Sequence, residues 1–503
     1  MKTYSHPLIV NNKTNDPIEF ATPEALIEAL SKHIVQQEIQ LRRGDNILLD
    51  TDSYKLSHWT QYPPNTTYMF SYLESRGGKY ANTVMFGLQP ILKRLEKGFT
   101  LDNIEEAAAF AAKHGEPFNK EGFTKMYHKY GGKFPVRIKA VPEGCVVPTS
   151  NILVAVESTD SEFFWVVSYL ETLLLRLWYP ITVATQSFTI KQIIKNYLEK
   201  TSEDPAAELP FKLHDFGSRG VSSQESAAIG GAAHLVNFMG SDTIAGVKYA
   251  NEHYKADMAG FSIPAAEHST MTMWGGREGE AAAMSNMIDQ YGKGLYACVS
   301  DSYDIYHAME HIWGEQLRDK VKNSGGTLVI RPDSGEPVEV LTKLCAIADE
   351  KFGSTYNKKG FKVFNNVRFI WGDGINEDTI RRILNAMTEQ GYSATNFAFG
   401  MGGALLQQVN RDTQKFAFKC SYAMVNGKGV DVFKDPITDK GKTSKKGRLD
   451  LVLTHNVAVQ KSTYKTVTGN DSVGSVLKTV FENGKVTREY TLDQIRKTAA
   501  EHM

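Results

Sequence analysis

One strand pattern, Thr327–Gly335 (TLVIRPDSG), ends in residues suited to bind a phosphorylated sugar. Its apolar run Leu328–Ile330 predicts a buried strand that stops at Arg331. The forked guanidinium of Arg331 suits a phosphate, and the Asp333 carboxylate can accept hydrogen bonds from two sugar hydroxyls. A surface turn with an incidental ion pair would explain this nonapeptide equally well, so its weight depends on the rest of the chain.

The same arrangement, a strand pattern that stops at charged or glycine residues, recurs along residues 211–408. The strand ends read FKLHDFGSRG, NFMGSD, FSIPAAEHS, YACVSDSYD, TLVIRPDSG, RFIWGDG and FAFGMGG. Most of them precede a helical pattern, which predicts a barrel of parallel strands. Ligands of such folds bind at the carboxyl ends of the strands, so we expect these turns to serve one site.

Three of these strand ends are further candidates for binding phosphate or sugar. The pair Gly402–Gly403 suits a phosphate held by backbone N–H groups, although a tight turn would also explain it. Gly372 and Asp373 repeat that arrangement, with a carboxylate for a sugar hydroxyl. Arg219 could hold a second phosphate, or it could be a surface arginine at the start of a helix.

His268, in AAEHST, is the candidate for chemistry. A lone histidine is usually structural, but a neighbouring carboxylate such as Glu267 could orient the ring as a nucleophile or base. Asp301 and Asp304, in SDSYD, add carboxylates at another strand end. Such carboxylates commonly act with phosphates through Mg²⁺, so we expect Mg²⁺ to enter with substrate phosphates, and its direct protein ligands stay open.

The segments on either side of the barrel predict a second domain. Residues 1–44 form an extension with an amphipathic helix capped by Thr22. Residues 45–185 and 410–503 mix strands and helices, and the short strands of the tail need a sheet to join. We therefore expect one mixed α+β sheet domain built from both chain ends, with the barrel at residues 186–409.

Composition excludes several classes of protein. The 503 residues carry 57 Lys+Arg and 57 Asp+Glu, so no global field attracts nucleic acid or an acidic membrane. The start lacks the apolar core of a signal peptide, and the apolar stretch Phe163–Ala184 is interrupted by charges, which predicts a buried helix rather than a membrane span. Four cysteines lie far apart, as in a cytoplasmic protein with reduced thiols. We expect a cytoplasmic enzyme without nucleic-acid or membrane partners.

Taken together, the motifs resemble those of the nicotinamide phosphoribosyltransferase family. The densest matches are TDSYK (51–55), HDFGSRGVSSQES (214–226), IPAAEHST (263–270), SDSYDIY (300–306), IRPDSG (330–335), GDG (372–374), GMGG (400–403) and FKDP with SKKGRL (433–449). The resemblance implies a type II phosphoribosyltransferase fold, an incomplete seven-stranded parallel α/β barrel beside the sheet domain. It also implies a homodimer with active sites between the subunits.

The resemblance assigns roles to the candidate residues. Phe216 and Tyr54 of the partner subunit would stack the pyridine ring. The phosphoribosyl group would contact Arg331, Pro332, Asp333, Gly372, Asp373, Gly402 and Gly403. The diphosphate would be surrounded by Arg76, Arg219, His268, Arg411, Lys419 and Lys434, some of them from the second chain. His268 is expected to accept phosphate from ATP, with Glu267 and Asp301 orienting its ring.

The implied reaction joins nicotinamide to 5-phosphoribosyl 1-diphosphate and gives nicotinamide mononucleotide and diphosphate, in NAD biosynthesis. Mg²⁺ would assist through the substrate phosphates, and ATP would be a co-substrate or activator. One alternative is a nicotinate phosphoribosyltransferase. Another, a sugar-phosphate lyase or isomerase, would need a lysine that no strand end supplies. A third is a non-catalytic binding protein that keeps the fold, against which intact Arg219, His268, Asp301 and Arg331 argue.

Asp242, in NFMGSDT, is predicted to select the pyridine substrate. It ends the strand that follows the one carrying Phe216, so it should reach the substituent of a ring stacked there. A carboxylate only accepts hydrogen bonds, which suits the amide NH₂ of nicotinamide and disfavours the anionic nicotinate. An N-cap role ahead of the helical pattern Thr243–Tyr254 is the competing explanation.

Overall fold

The computed structural model describes residues 3–6, 9, 17–43, 46–439, 442–456, 461–469 and 472–503. Two large sheets, each with a hydrophobic core of its own, organise this part of the chain. One sheet is parallel and the other antiparallel, which confirms the predicted α/β fold.

The parallel sheet has six regular strands, and it carries the predicted strand-end motifs. From edge to edge the strands are Gly240–Ser241, Leu213–Asp215, Phe397–Met401, Val367–Trp371, Thr327–Arg331 and Leu295–Val299. Every neighbouring pair is parallel. All six strands therefore end at the same edge, which brings their carboxyl-terminal turns together.

The seventh predicted strand, FSIPAAE, is an irregular segment that touches both edge strands. The Phe261 amide donates to Met239 O at 2.7 Å, and the Ala297 amide donates to Pro264 O at 2.9 Å. The pairing consists of isolated bridges rather than a continuous ladder. Pro264 has no N–H to donate, which interrupts regular pairing. The barrel is incomplete, as predicted, and its seventh member is not a regular strand.

Helices flank the parallel sheet, and capping side chains fix where several of them begin. Helix Glu377–Glu389 follows Asn376, whose side chain accepts hydrogen bonds from the Asp378 and Thr379 amides at 2.9 and 3.0 Å. After the last strand of the motif series, the sequence pattern Leu405–Val409 predicts a helix, but the structure has a single turn, Gly403–Leu406. The other helices of this layer are Trp178–Thr201, Pro205–Glu208, Gln224–His234, Ile244–Tyr254, His268–Thr272, Glu280–Tyr291, Ile305–His307, the π-helix Ala308–Gln316, Arg318–Asn323 and Pro337–Phe352.

The antiparallel sheet joins both ends of the chain, as predicted. Its order is Lys428–Asp431, Phe416–Val425, Thr66–Ser75, Ile152–Ser158, Val136–Ala140, Lys478–Glu482 and Lys485–Val486. Smaller two-stranded sheets pair Asn82–Val84 with Val146–Pro148, Ser354–Tyr356 with Lys362–Phe364, and Leu449–Asn456 with Lys461–Thr468. The helices of this region are Leu88–Lys97, Leu101–His114, Lys120–Tyr130, Val166–Tyr169, Glu171–Leu175 and Leu492–Ala500.

The apolar stretch Phe163–Ala184 is buried, but the prediction of one continuous helix is wrong. Two short helices, Val166–Tyr169 and Glu171–Leu175, precede a new helix that begins at Trp178. Pro180 lies in the first turn of that helix, where its missing N–H costs nothing. Within the described ranges, no helix is both long enough and apolar enough to cross a bilayer.

The amino-terminal extension contains the predicted helix, which spans Pro23–Arg43. The Ala25 amide donates to the Thr22 hydroxyl at 3.2 Å, so the predicted cap is confirmed. The glycine predicted to end the helix, Gly44, lies outside the described residues.

One helix connects the two cores, and the carboxyl-terminal helix packs on the barrel core. Helix Trp178–Thr201 contributes Ile181 to the antiparallel-sheet core and Val183 to the barrel core. The carboxyl-terminal helix packs Ile495 into the barrel core, and Arg496 donates to the carbonyl of Leu235 at 2.8 Å. The tail therefore joins the sheet with its strands and the barrel with its last helix.

Candidate active site

Three neighbouring strand ends are joined by hydrogen bonds around Asp301. His268 Nε2 lies 3.0 Å from Asp301 Oδ1, while Asp301 Oδ2 accepts the Asp333 amide at 3.0 Å and the Ser334 hydroxyl at 2.6 Å. The Asp301 side chain is only 5% exposed, and that of His268 is 46% exposed. A carboxylate held this way orients the imidazole and leaves its other nitrogen toward solvent.

Glu267, predicted to help orient His268, has a different partner. The Ser269 hydroxyl donates to Glu267 Oε1, and the Glu267 amide donates to Thr270 Oγ1 at 3.2 Å. Glu267 therefore caps the helix that begins at His268. Among the contacts of the described residues, Asp301 is the carboxylate that holds the ring.

The Arg331–Asp333 turn combines one cation with several carboxylates. Arg331 Nε is buried and has no hydrogen-bond partner among the described residues. Burial raises the pKa of the Asp333 carboxyl; Arg331 opposes this shift, whereas Asp301 and Asp373 add to it. Pro332, between Arg331 and Asp333 in the chain, is buried. The turn thus holds a donor without a partner beside carboxylates that can accept hydroxyl hydrogens.

Phe216 places its ring at the carboxyl ends of the parallel strands, which form the mouth of the barrel. The ring lies close to two glycines. A Cβ atom on Gly400 would lie 1.9 Å from Phe216 Cε2, and one on Gly372 would lie 3.3 Å from Asp333 Oδ1. Beneath the ring lies an apolar layer formed by Ala297, Val329 and Ile370 with Ile263 and Ala398. A half-buried ring in this position can stack a planar ligand. Sequence reasoning missed Gly400 as the residue that admits the ring, although a glycine inside the strand pattern FAFG was the available signal.

The glycine pair and Arg219 lie side by side. Gly402 precedes the single helical turn Gly403–Leu406, and a Cβ atom on Gly403 would meet no atom within 4 Å. A Cβ atom on Gly220 would come 3.3 Å from Gly403 N, so the turn Ser218–Gly220 packs on the pair. Arg219 is exposed on that turn. Backbone N–H groups and a guanidinium together suit a phosphate.

Asp242 is not the N-cap of its helix. The N-cap of helix Ile244–Tyr254 is Thr243, and no side-chain cap bond forms. The Asp242 amide donates to Asp215 O at 2.9 Å, and its carboxylate Oδ1 accepts the Ser262 hydroxyl at 2.5 Å. The competing explanation for Asp242 is therefore wrong, and its exposed carboxylate is available to a ligand.

A cavity of about 630 Å³ runs through the interior of the barrel. Its walls include the first residues of three strands, Leu295, Thr327 and Phe397, and the pair Arg368–Phe369 near the start of a fourth, so it extends toward the amino ends of the sheet. His214, Ser262 and Ile263 also line it. Burial lowers the pKa of His214, which favours its neutral form. Sequence reasoning did not select His214 or Ser262, because neither differs in type from an ordinary strand residue.

Tyr54 and most of the predicted basic residues lie on the antiparallel-sheet side. Tyr54 is 52% exposed and packs edge-to-face on His58, with ring centroids 5.0 Å apart. Burial lowers the pKa of Lys419; Glu171, whose carboxylate lies 3.8 Å away, opposes this shift, and the nearby cations Arg76, Lys55 and Lys434 add to it. Arg411 is exposed on the turn Arg411–Thr413.

These residues do not complete the barrel mouth of their own chain. Among the described residues, no hydrogen bond, ion pair or ring contact joins Tyr54, Arg76, Lys419 or Lys434 to the mouth residues Phe216 and Arg331.

Two family models match the chain. The nicotinate phosphoribosyltransferase (NAPRTase) family matches residues 211–485, and the nicotinamide phosphoribosyltransferase N-terminal domain matches residues 46–138. Together they cover the barrel, the first part of the sheet domain and most of the tail.

Two relatives align over nearly their full lengths. The nicotinamide phosphoribosyltransferase of Xanthomonas campestris pv. campestris (strain 8004) is 55% identical over 460 residues, which cover 90% of this chain and 98% of the relative. The nicotinamide phosphoribosyltransferase of Acinetobacter baylyi is 31% identical over 500 residues, which cover 91% and 98%.

Solved structures share the fold. Nicotinate-nucleotide pyrophosphorylase from Pyrococcus furiosus superposes with a TM-score of 0.59 at 16% identity, covering 91% of this chain and 95% of that one. Human nicotinic acid phosphoribosyltransferase gives a TM-score of 0.52 at 16% identity, covering 90% and 93%. At this identity the likeness concerns the fold alone.

The family models and the two relatives define a class of protein, the pentosyltransferases that act on phosphoribosyl groups in pyridine nucleotide biosynthesis. The chain belongs to the nicotinate phosphoribosyltransferase family and, within it, to the nicotinamide phosphoribosyltransferases.

Proposed function

We propose that the protein joins nicotinamide to 5-phosphoribosyl 1-diphosphate, giving nicotinamide mononucleotide and diphosphate for NAD biosynthesis. The observation that carries this proposal is the meeting of the Phe216 ring, the Arg331–Asp333 turn and the glycine pair at one sheet edge. The relative that is 55% identical bears the name of this activity. No strand end in the described barrel offers the lysine that a lyase or isomerase would need.

The reaction is a displacement at the anomeric carbon of the ribose. The lone pair of the pyridine nitrogen forms the new C–N bond, and the bond to the diphosphate oxygen breaks with its electron pair leaving on the diphosphate. Phe216 would hold the ring in line, and Arg331 and Arg219 would stabilise the charge on the departing group. No base is required, because the nitrogen attacks without losing a proton.

A complete site needs two subunits under this proposal. Tyr54 and the basic cluster of Arg76, Lys419 and Lys434 belong to the sheet side of the chain and, among the described residues, make no hydrogen bond, ion pair or ring contact with Phe216 or Arg331. A second copy could supply an exposed ring opposite Phe216 and cations for the diphosphate. We propose a homodimer with shared sites on this ground.

ATP is proposed as a co-substrate that phosphorylates His268. Asp301 engages Nε2, so the tautomer with its proton there leaves the lone pair on Nδ1. Nδ1 would attack the terminal phosphorus of ATP, forming an N–P bond as ADP leaves with the electron pair of the broken P–O bond. Transfer of that phosphoryl group onward to water would complete the cycle.

Mg²⁺ is proposed to enter with the phosphates. Among the described residues, no group of three or more His, Cys, Asp or Glu side chains could hold a metal ion. Asp333 and Asp373 could supply one or two oxygens, with the remainder from substrate and water, as Mg²⁺ prefers. The ion would neutralise charge on the departing diphosphate.

A cytoplasmic location belongs to the same proposal. All four cysteines are unpaired, and three of them are buried, which suits a reducing compartment.

An assay of the purified protein tests the reaction. Nicotinamide and nicotinate, each with the diphosphate sugar and Mg²⁺, should be supplied in parallel, and products should be identified by mass. We expect nicotinamide mononucleotide as the preferred product. Preferred formation of the acid mononucleotide would assign the protein to the nicotinate reaction, and absence of both products would refute catalysis.

A further inference from the structure

The contact between Ser262 and Asp242 joins two segments that close the same side of the barrel. The Ser262 hydroxyl lies 2.5 Å from Asp242 Oδ1. Backbone bonds fix both segments: the Ser241 amide donates to Phe261 O at 3.0 Å, and the Asp242 amide donates to Asp215 O at 2.9 Å. These backbone bonds hold the two segments side by side, so the exposed Ser262 and Asp242 side chains meet within hydrogen-bond distance.

The direction of this hydrogen bond is determined by chemistry. An ionised carboxylate can only accept, and a serine hydroxyl has a single proton, so Ser262 gives that proton to Asp242. Ser262 lines the barrel cavity, and its hydroxyl then has only lone pairs to offer there. Asp242 Oδ2 is likewise an acceptor. The pair therefore offers hydrogen-bond acceptors and no donor to a ligand.

An acceptor-only pair distinguishes the two pyridine substrates. The amide of nicotinamide has two N–H bonds to donate, whereas the carboxylate of nicotinate has none. Nicotinate would meet like charge at Asp242 and lone pairs at Ser262, and polar groups left unpaired in a site are what give strong discrimination. Selection would thus depend on the serine as well as on the charge.

We propose that Ser262 is a positioning residue for substrate selection, which commits its proton to Asp242 and thereby removes the donor that nicotinate would need. The inference rests on the proposed function, and it adds a residue that the motif-based assignment did not include. It also implies that the Ser262 hydroxyl would donate its hydrogen bond to the substrate if Asp242 were removed. The freed proton would then be available to a carboxylate.

Steady-state kinetics of four variants with both pyridines test the inference: Ser262→Ala, Ser262→Thr, Asp242→Ala and the double variant Asp242→Ala/Ser262→Ala. Ser262→Ala should lower kcat/KM for nicotinamide about tenfold, mainly through KM, because the amide of the substrate loses one hydrogen-bond acceptor. Its kcat/KM for nicotinate should change less than about threefold, and Ser262→Thr should restore most of the ratio. Asp242→Ala should gain nicotinate turnover that the double variant loses.

Ser475→Ala is the matched control, because the Ser475 hydroxyl also donates to an aspartate, Asp450 Oδ1, at 2.6 Å. It lies in the tail, so its loss should leave the ratio between the two pyridines unchanged. Equal losses for both pyridines in Ser262→Ala, or equal nicotinate turnover in Asp242→Ala and the double variant, would overturn the role of Ser262. Failure of the parent protein to make nicotinamide mononucleotide would instead refute the proposed function.

Discussion

The imidazole of His268 and the carboxylate of Asp301 meet across two strand ends, with Nε2 and Oδ1 3.0 Å apart. The second oxygen of Asp301 is already engaged by the Asp333 amide and the Ser334 hydroxyl. Asp301 is therefore held by the segment Arg331–Ser334 and in turn holds the histidine. Any ligand that moves the Arg331–Asp333 turn would also move the His268 ring.

His268→Ala should keep slow transfer of the phosphoribosyl group but lose stimulation by ATP, because the nucleophile for phosphate is gone. Asp301→Asn should reduce the stimulation at least about tenfold, since an amide orients the ring less well than a carboxylate. Initial rates with and without ATP provide the measurement. Glu267→Gln is the control, because Glu267 contacts Ser269 and not His268; full stimulation of His268→Ala would rule out a phosphohistidine.

Mixing two inactive variants should restore activity if each site takes residues from two chains. Tyr54→Ala lacks the partner ring, and Arg331→Ala lacks the guanidinium in its own barrel. A mixed dimer would contain one intact site and one doubly damaged site, so random exchange should return about one quarter of the parent activity. Activity should be followed against the mixing ratio after subunit exchange. No recovery at any ratio would contradict a shared site.

Gly400→Ala should displace the Phe216 ring, because the added Cβ would lie 1.9 Å from Cε2. We expect KM for the pyridine to rise at least about tenfold, since binding by stacking depends on the position of the ring. Gly403→Ala makes the contrast: its Cβ meets no protein atom, so it should instead raise KM for the diphosphate sugar by filling the phosphate cradle. If Gly400→Ala left the pyridine KM unchanged, Phe216 would not be the stacking face.

Asp242→Asn should narrow the difference in kcat/KM between nicotinamide and nicotinate by about ten- to a hundredfold, because it removes the like charge facing nicotinate. Loss of a helix cap cannot explain such a change, since Thr243 is the N-cap. The asparagine can still accept the Ser262 proton through its carbonyl oxygen. Thermal unfolding should match that of the parent, and an unchanged ratio would exclude Asp242 from substrate selection.

Asp215 should make the unfolding free energy depend on pH. Burial raises the pKa of this carboxyl from 3.8 to about 6. The folded state therefore binds the proton more tightly, so this stabilisation is complete below the unfolded pKa and is lost as pH rises through 6. The loss amounts to about 2 to 3 kcal/mol. Asp215→Asn should remove it and keep the oxygen that accepts the Gly217 amide at 2.7 Å.

Denaturant unfolding at several pH values between 4.5 and 7 provides the comparison for Asp215. The gain in stability of Asp215→Asn over the parent should grow across this range. Asp257→Asn changes an exposed carboxylate and should show no such trend. A constant difference between Asp215→Asn and the parent would mean that Asp215 is not perturbed.

Local patterns in the sequence were enough to predict several of the elements. Helix Glu377–Glu389 and the capped helix Pro23–Arg43 begin where the capping residues place them, because a cap acts within one turn. The strand-end motifs could be assigned to one site because parallel strands must place their carboxyl ends at one edge of the sheet. Proline explains two of the departures: Pro264 prevents a regular seventh strand, and Pro180 lies in the first turn of the new helix that begins at Trp178.

The sequence by itself determined the residue types at the strand ends, and hence the phosphate, sugar and pyridine chemistry of the site. Only the tertiary structure decided which side chains form hydrogen bonds with each other. Asp301 rather than Glu267 holds His268, and Ser262 holds Asp242, although Glu267 is adjacent to the histidine and Ser262 is 20 residues from the aspartate. Hydrogen bonds act over about 3 Å in space, and neighbours in a chain point to different sides of an extended backbone, so adjacency in sequence does not predict them.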